Sequence, residues 1–110
     1  MAAVSNLSID QGTTFSVTFT VNDDTGTARN LSTFTARSQM RRSYFTSANT
    51  AFTVSIDNPL DGEIVLELSD TQSSSLRPGR YVYDVELVSN TATVERIVEG
   101  IVTVFPEVTK

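Results

Sequence analysis

SLRPGRYVYDVELVS, residues 75–89, sets a tight turn directly against a strand. Pro78 fixes φ and Gly79 frees it, the chemistry of a sharp reversal. Beyond them Tyr81, Tyr83, Val85 and Leu87 fall on one side and Arg80, Val82, Asp84 and Glu86 on the other. A period of two with aromatic and branched residues on one face is a strand with one side buried. Leu76, just ahead of the turn, is the apolar residue of the preceding polar tract that calls for burial.

The same period recurs on both sides of this stretch. In TTFSVTFTVN, residues 13–22, Phe15, Val17, Phe19 and Val21 oppose Thr14, Ser16, Thr18 and Thr20. Asp23, Asp24, Thr25 and Gly26 follow as a turn. Residues 31–43 form a second long strand, with Phe34, Ala36, Ser38 and Met40 inward and Thr35, Arg37, Gln39 and Arg41 outward. AFTVSID and EIVLEL, residues 51–57 and 63–68, turn Phe52, Val54, Ile56, Ile64, Leu66 and Leu68 inward and form a hairpin closed by residues 58–62. Residues 69–79 are a loop with room for one helical turn capped by Asp70 or Thr71. In the last strand, residues 93–105, Gly100 is the expected bulge that moves the inward set from Ile97 to Val102 and Val104.

With an edge piece at residues 4–9, the count is about seven short strands, the pattern of a sandwich. The expected fold is all-β, an immunoglobulin-like antiparallel β-sandwich, with residues 1–110 as one domain. A leucine, a turn and a tyrosine entering a strand match the corner where such a chain crosses between sheets. On that basis Leu76, Pro78, Gly79, Tyr81 and Asp84 make the corner, with the Tyr81 hydroxyl bonded back to the loop. A generic hairpin turn with a packed tyrosine is the alternative.

Composition narrows the chemistry. The chain has no cysteine, so neither disulfides nor thiolate metal clusters can form. It has no histidine, which removes the commonest general base and metal ligand. Thirteen acids against eight bases give a net charge of −5, unfavourable for nucleic acid and anionic membrane surfaces. No apolar run is long enough to span a bilayer and the first residues lack an export signal, so a soluble chain is expected.

Several clusters remain as candidates. Arg37, Arg41 and Arg42 could grip a phosphate or carboxylate, or Arg37 and Arg41 could face Asp84 and Glu86 across a ladder as ordinary pairs. Asp23 with Asp24, or Asp57 with Asp61, could offer oxygens to calcium, although Asp beside Gly or Pro usually serves the turn. Asp84 with Glu86 is the one close carboxylate pair on a strand face that a hydrolase could use. Ser73, Ser74 and Ser75 have no base nearby in sequence to activate them. Tyr44 and Phe45, beside the basic strand, would either close the core under residues 47–50 or stand out as a contact.

Four spaced signatures resemble a group of small virion domains of tailed phages. They are I-x-x-G at residues 9–12, D-x-x-G-x-x-x-x-L-S at 23–32, L-x-x-G-x-Y-x-Y-D at 76–84 and G-x-V-x-V-x-x-x-V-T at 100–109. The N-terminal domains of upper-baseplate proteins and sandwich domains of myovirus structural proteins, those of marine phages included, are similar in this way. The resemblance spans nearly the whole chain. It implies a non-enzymatic structural role in a virion assembled in the host cytoplasm, as part of a tail, baseplate, neck or capsid. No cofactor is implied, and the partners would be other virion proteins or further copies of the chain, not nucleic acid or membrane. Assembly would use strand edges and exposed aromatics such as Tyr44 and Phe45. A carbohydrate- or ligand-binding module using calcium at the aspartate loops is the competing expectation, weakened by the absence of tryptophan.

Overall fold

The computed structural model describes residues 3–23 and 25–109. Among them, nine strand segments run as β1 (Ala3–Val4), β2 (Leu7–Asp10), β3 (Phe15–Thr20), β4 (Phe34–Arg41), β5 (Thr50–Ala51), β6 (Thr53–Asn58), β7 (Glu63–Leu68), β8 (Gly79–Ser89) and β9 (Val94–Phe105). A short helix, α1 (Asp70–Ser74), links β7 to β8. The strands form two sheets in a sandwich-like arrangement. The larger runs β9-β8-β4-β5, with β1 and β2 both on the outer edge of β9, and the smaller runs β3-β7-β6.

Alternation decides which side chains meet between the sheets. Tyr81, Tyr83, Val85 and Leu87 from β8 are all buried, as are Ile64, Leu66 and Leu68 from β7. Phe52 joins the layers, 6.1 Å from Phe15 and edge-on to Tyr83 at 6.3 Å between ring centroids. Both aromatic pairs lie in the range of favourable tilted contacts.

The larger sheet is mixed, which corrects the expectation of a wholly antiparallel sandwich. β1 and β2 run parallel to β9, with Ala3 opposite Val98 and Ile9 opposite Val104. The cause is the crossing at residues 11–14. The chain leaves the larger sheet after β2 and enters the smaller one at β3, so those two strands cannot close a hairpin, and β2 pairs instead with the C-terminal strand.

The bulge also falls elsewhere than expected. Val85 lies opposite Val98 and Glu86 opposite Arg96, so the unpaired residue is Ile97, three positions before Gly100. Gly100 has a different task. The edge chain crosses over it between β1 and β2, and a Cβ there would collide with the Ser5 carbonyl. Around that crossing the Ser5 amide donates to the Glu99 carbonyl at 2.9 Å, the Tyr83 hydroxyl donates to the Ser5 carbonyl at 2.6 Å, and the Ile101 amide donates to Asn6 Oδ1 at 3.1 Å.

At the opposite end of β8, Leu76 is buried and the Tyr81 hydroxyl donates to the Arg77 carbonyl at 2.6 Å. The helix ahead of it starts one residue earlier than its sequence suggests. Ser69, not Asp70 or Thr71, is the cap: its hydroxyl accepts from the Gln72 amide, and Gln72 Oε1 accepts from the Ser69 amide at 2.8 Å. Ser73 is buried beside Leu76 and its hydroxyl donates to the Thr13 carbonyl at 2.6 Å, tying α1 to the start of β3.

Candidate functional site

The outer face of the larger sheet carries its charge in alternate positions of β4, β8 and β9. Because β4 and β8 pair antiparallel with Arg37 opposite Glu86, the two side chains meet at 2.8 Å between Nε and Oε1. Arg41 lands opposite Val82 rather than an acid. Its guanidinium donates instead to the Thr46 carbonyl at 2.8 Å and to Gln39 Oε1 at 3.1 Å. The partner of Asp84 comes from β9: Arg96 Nε stands 3.3 Å from its Oδ2, and Arg96 also approaches Glu99 at 3.8 Å. Arg42 is separate from Arg37 and Arg41. It turns to the end of the sandwich, stacking 5.0 Å from the Tyr81 ring centroid.

These groups border a concavity of about 450 Å³ whose rim includes Tyr44. It is open to solvent, since the side chains of Arg37 and Arg96 are 62% and 52% exposed. Burial, then the neighbouring Glu86, raises the Asp84 carboxyl above the usual range, while Arg96 pulls it down. Each acid of the Asp84 and Glu86 pair therefore faces an arginine, and the face is a self-neutralising ladder of cross-strand pairs. Exposed pairs of this kind contribute about 1 kcal/mol or less each.

The aspartate loops divide. Asp24 lies outside the described residues. Asp23 Oδ1 accepts from the Thr25 amide at 2.9 Å, the Thr25 hydroxyl at 2.6 Å and the Thr27 amide at 3.1 Å, and these bonds lower its pKa. That oxygen serves the turn. Among the described residues no group of three or more His, Cys, Asp or Glu is placed to hold a metal. The hydroxyls of Ser73, Ser74 and Ser75 all donate to backbone carbonyls of the helical turn or, for Ser73, also to Thr13.

Tyr44 and Phe45 project from the connection after β4, 72% and 98% exposed. They do not close the core. Sequence reasoning missed Glu99 because a bulge placed at Gly100 turns Glu99 inward and Val98 outward, the reverse of what β9 does, and missed Arg96 because its partner depends on the register of β9 against β8. Gln11 was missed too. Its amide nitrogen donates to the Leu76 carbonyl at 2.9 Å and its Oε1 accepts from the Glu107 amide at 3.2 Å, joining both ends of the chain to the corner. No periodic signal marks a lone glutamine in a turn.

No protein-family model matches this chain, and no curated protein matches it.

Proposed function

We propose that the chain is a non-enzymatic, immunoglobulin-like module of a tailed-phage virion that works by docking to other virion proteins. Two layers, β3-β7-β6 against β2-β9-β8-β4-β5, with a tyrosine bonded back at the entry to the penultimate strand, support the immunoglobulin-like assignment. The four signatures at residues 9–12, 23–32, 76–84 and 100–109 support the virion assignment.

The single observation that carries a docking role is the aromatic tip. Phe45 is 98% exposed beside Tyr44, and an aromatic pair held in water on a charged surface gains from burial against a partner. The acids and arginines behind it neutralise one another, which suits a rim that orients a contact more than a centre that moves protons.

Gradient-purified particles analysed by mass spectrometry are expected to contain peptides of this chain at the abundance of a structural component. Tyr44→Ser combined with Phe45→Ser should leave the thermal unfolding temperature unchanged and remove the chain from particles. Detection in infected cytoplasm alone, with none in particles, defeats the proposal.

A further inference from the structure

Among the described residues four strand edges bound the two sheets, and three are guarded. β5 is two residues long. β6 carries Asp57, loses register between Ser55 and Asn58, and runs into Pro59. The β1 and β2 edge is broken at Ser5 and Asn6. Shortness, charge, proline and bends are the devices by which sheet edges avoid pairing with other chains. β3 has none of them. It keeps an unbroken register from Phe15 opposite Leu68 to Thr20 opposite Glu63, and among the described residues it pairs with β7 alone. Residues 11–22 contain no charged side chain, in a chain that is 19% charged.

The burial pattern points the same way. Leu68, Leu66 and Ile64 of β7 are 1%, 0% and 0% exposed, while their ladder partners Phe15, Val17 and Phe19 remain half-buried although they face the same core. The apolar layer runs on past the last strand of the smaller sheet. Beside its end the gap between the sheets is a cleft of about 590 Å³, bordered by Val21, Ile97 and Val98 and, on its charged side, by Asp23, Arg29 and Glu95.

We propose that β3 pairs antiparallel with β3 of a second copy of this chain, making a continuous six-stranded sheet across a two-fold axis at Val17. In that register Val17 meets itself, Phe15 meets Phe19 and Ser16 meets Thr18. Every pair is aromatic with aromatic, aliphatic with aliphatic or hydroxyl with hydroxyl, the combinations that stabilise an antiparallel ladder. The sequence matches itself, and this selects a second copy over a foreign strand. A net charge of −5 on each copy opposes self-association wherever acids are exposed, and β3 itself carries none. The pairing does not depend on the particle in which the chain resides.

Sedimentation of the purified full chain over a wide concentration range is expected to give a reversible monomer-to-dimer transition. Amide exchange across residues 15–20 should slow as the concentration rises. Ser16→Lys with Thr18→Lys places like charges opposite each other and should abolish the dimer. Ser16→Lys with Thr18→Glu places opposite charges across the same register and should retain it. Both positions are exposed on the solvent face, so unfolding temperature serves as the control for an intact fold. A monomer at every concentration, a dimer indifferent to the lysine pair, or one lost equally in both double variants overturns the proposal. So does protection of residues 15–20 that appears only when another virion protein is added, which would give the edge to a donated strand.

Discussion

The Tyr81 hydroxyl reaches back four residues to the Arg77 carbonyl, while Leu76 fills the space beneath by packing alone. The two contributions differ in kind and should differ in size. Tyr81→Phe removes one hydrogen bond and should cost about 0.5–1.5 kcal/mol. Leu76→Ala removes a buried side chain and leaves a cavity, so about 2–5 kcal/mol is expected. Arg41→Ala breaks one part-buried and one exposed hydrogen bond without opening a cavity and should cost no more than about 0.5–1.5 kcal/mol. Urea unfolding of the three variants measures all of this, and equal losses at Leu76 and Arg41 would remove the leucine from the corner. Both corner residues were legible because their chemistry is local: a turn, a leucine before it and a tyrosine after it lie within six residues of sequence. The partner of Arg41 was not legible. Which residue faces it depends on the register of β4 against β8, and nothing within either strand states that offset.

Gly100 acts at the scale of the strand it belongs to. β1 and β2 meet β9 as a single edge chain that bends at Ser5 and Asn6, and the bend lies over a residue with no Cβ. Gly100→Ala forces the Ser5 carbonyl away and should cost about 1–3 kcal/mol, the range of overpacked sites. The loss should be uneven. Amide exchange is expected to quicken along residues 5–10 and at Ile101, while β4, β7 and the centre of β8 keep their protection. Faster exchange throughout the molecule would mean that the edge chain folds as one unit with the core. The same strand marks the limit of reading elements from sequence. In β3, β4, β7 and β8 alternation gave the buried face residue by residue, since a period of two is a property of each strand alone. The bulge at Ile97 and the parallel pairing of β2 were hidden, because both arise between segments far apart in the chain. A glycine within a strand was the only local mark, and it belonged to the crossing.

Over the whole molecule, the missing histidine leaves no side chain that normally titrates near neutrality, so stability should form a plateau there and change at the acid and alkaline ends. Two aspartates bend the acid limb in opposite directions. Asp23 has a folded pKa below its unfolded one, held there by the Thr25 hydroxyl and amide and by the Thr27 amide. Its contribution is present above the unfolded pKa and is lost as the pH falls through the folded value. Asp84 has a folded pKa above its unfolded one, through burial and then the Glu86 charge. Ionising it costs the folded state more than the unfolded state, so stability rises as the pH falls from the raised value to the ordinary carboxylate range. Tyr83, raised by burial, repeats that sign at the alkaline end: stability falls once the pH passes the unfolded tyrosine value. Asp23→Asn keeps an acceptor for the turn but removes the titration, and should flatten the acid loss. Asp84→Asn should remove the opposing rise and steepen the net loss over the carboxylate range. Thermal unfolding of the wild type and both variants from neutral to acid pH measures the two slopes. If the variants shift the acid limb in the same direction, then Asp84 is held in its ionised form by Arg96, and the outer face is a stronger ion-pair network than the burial of Asp84 implies.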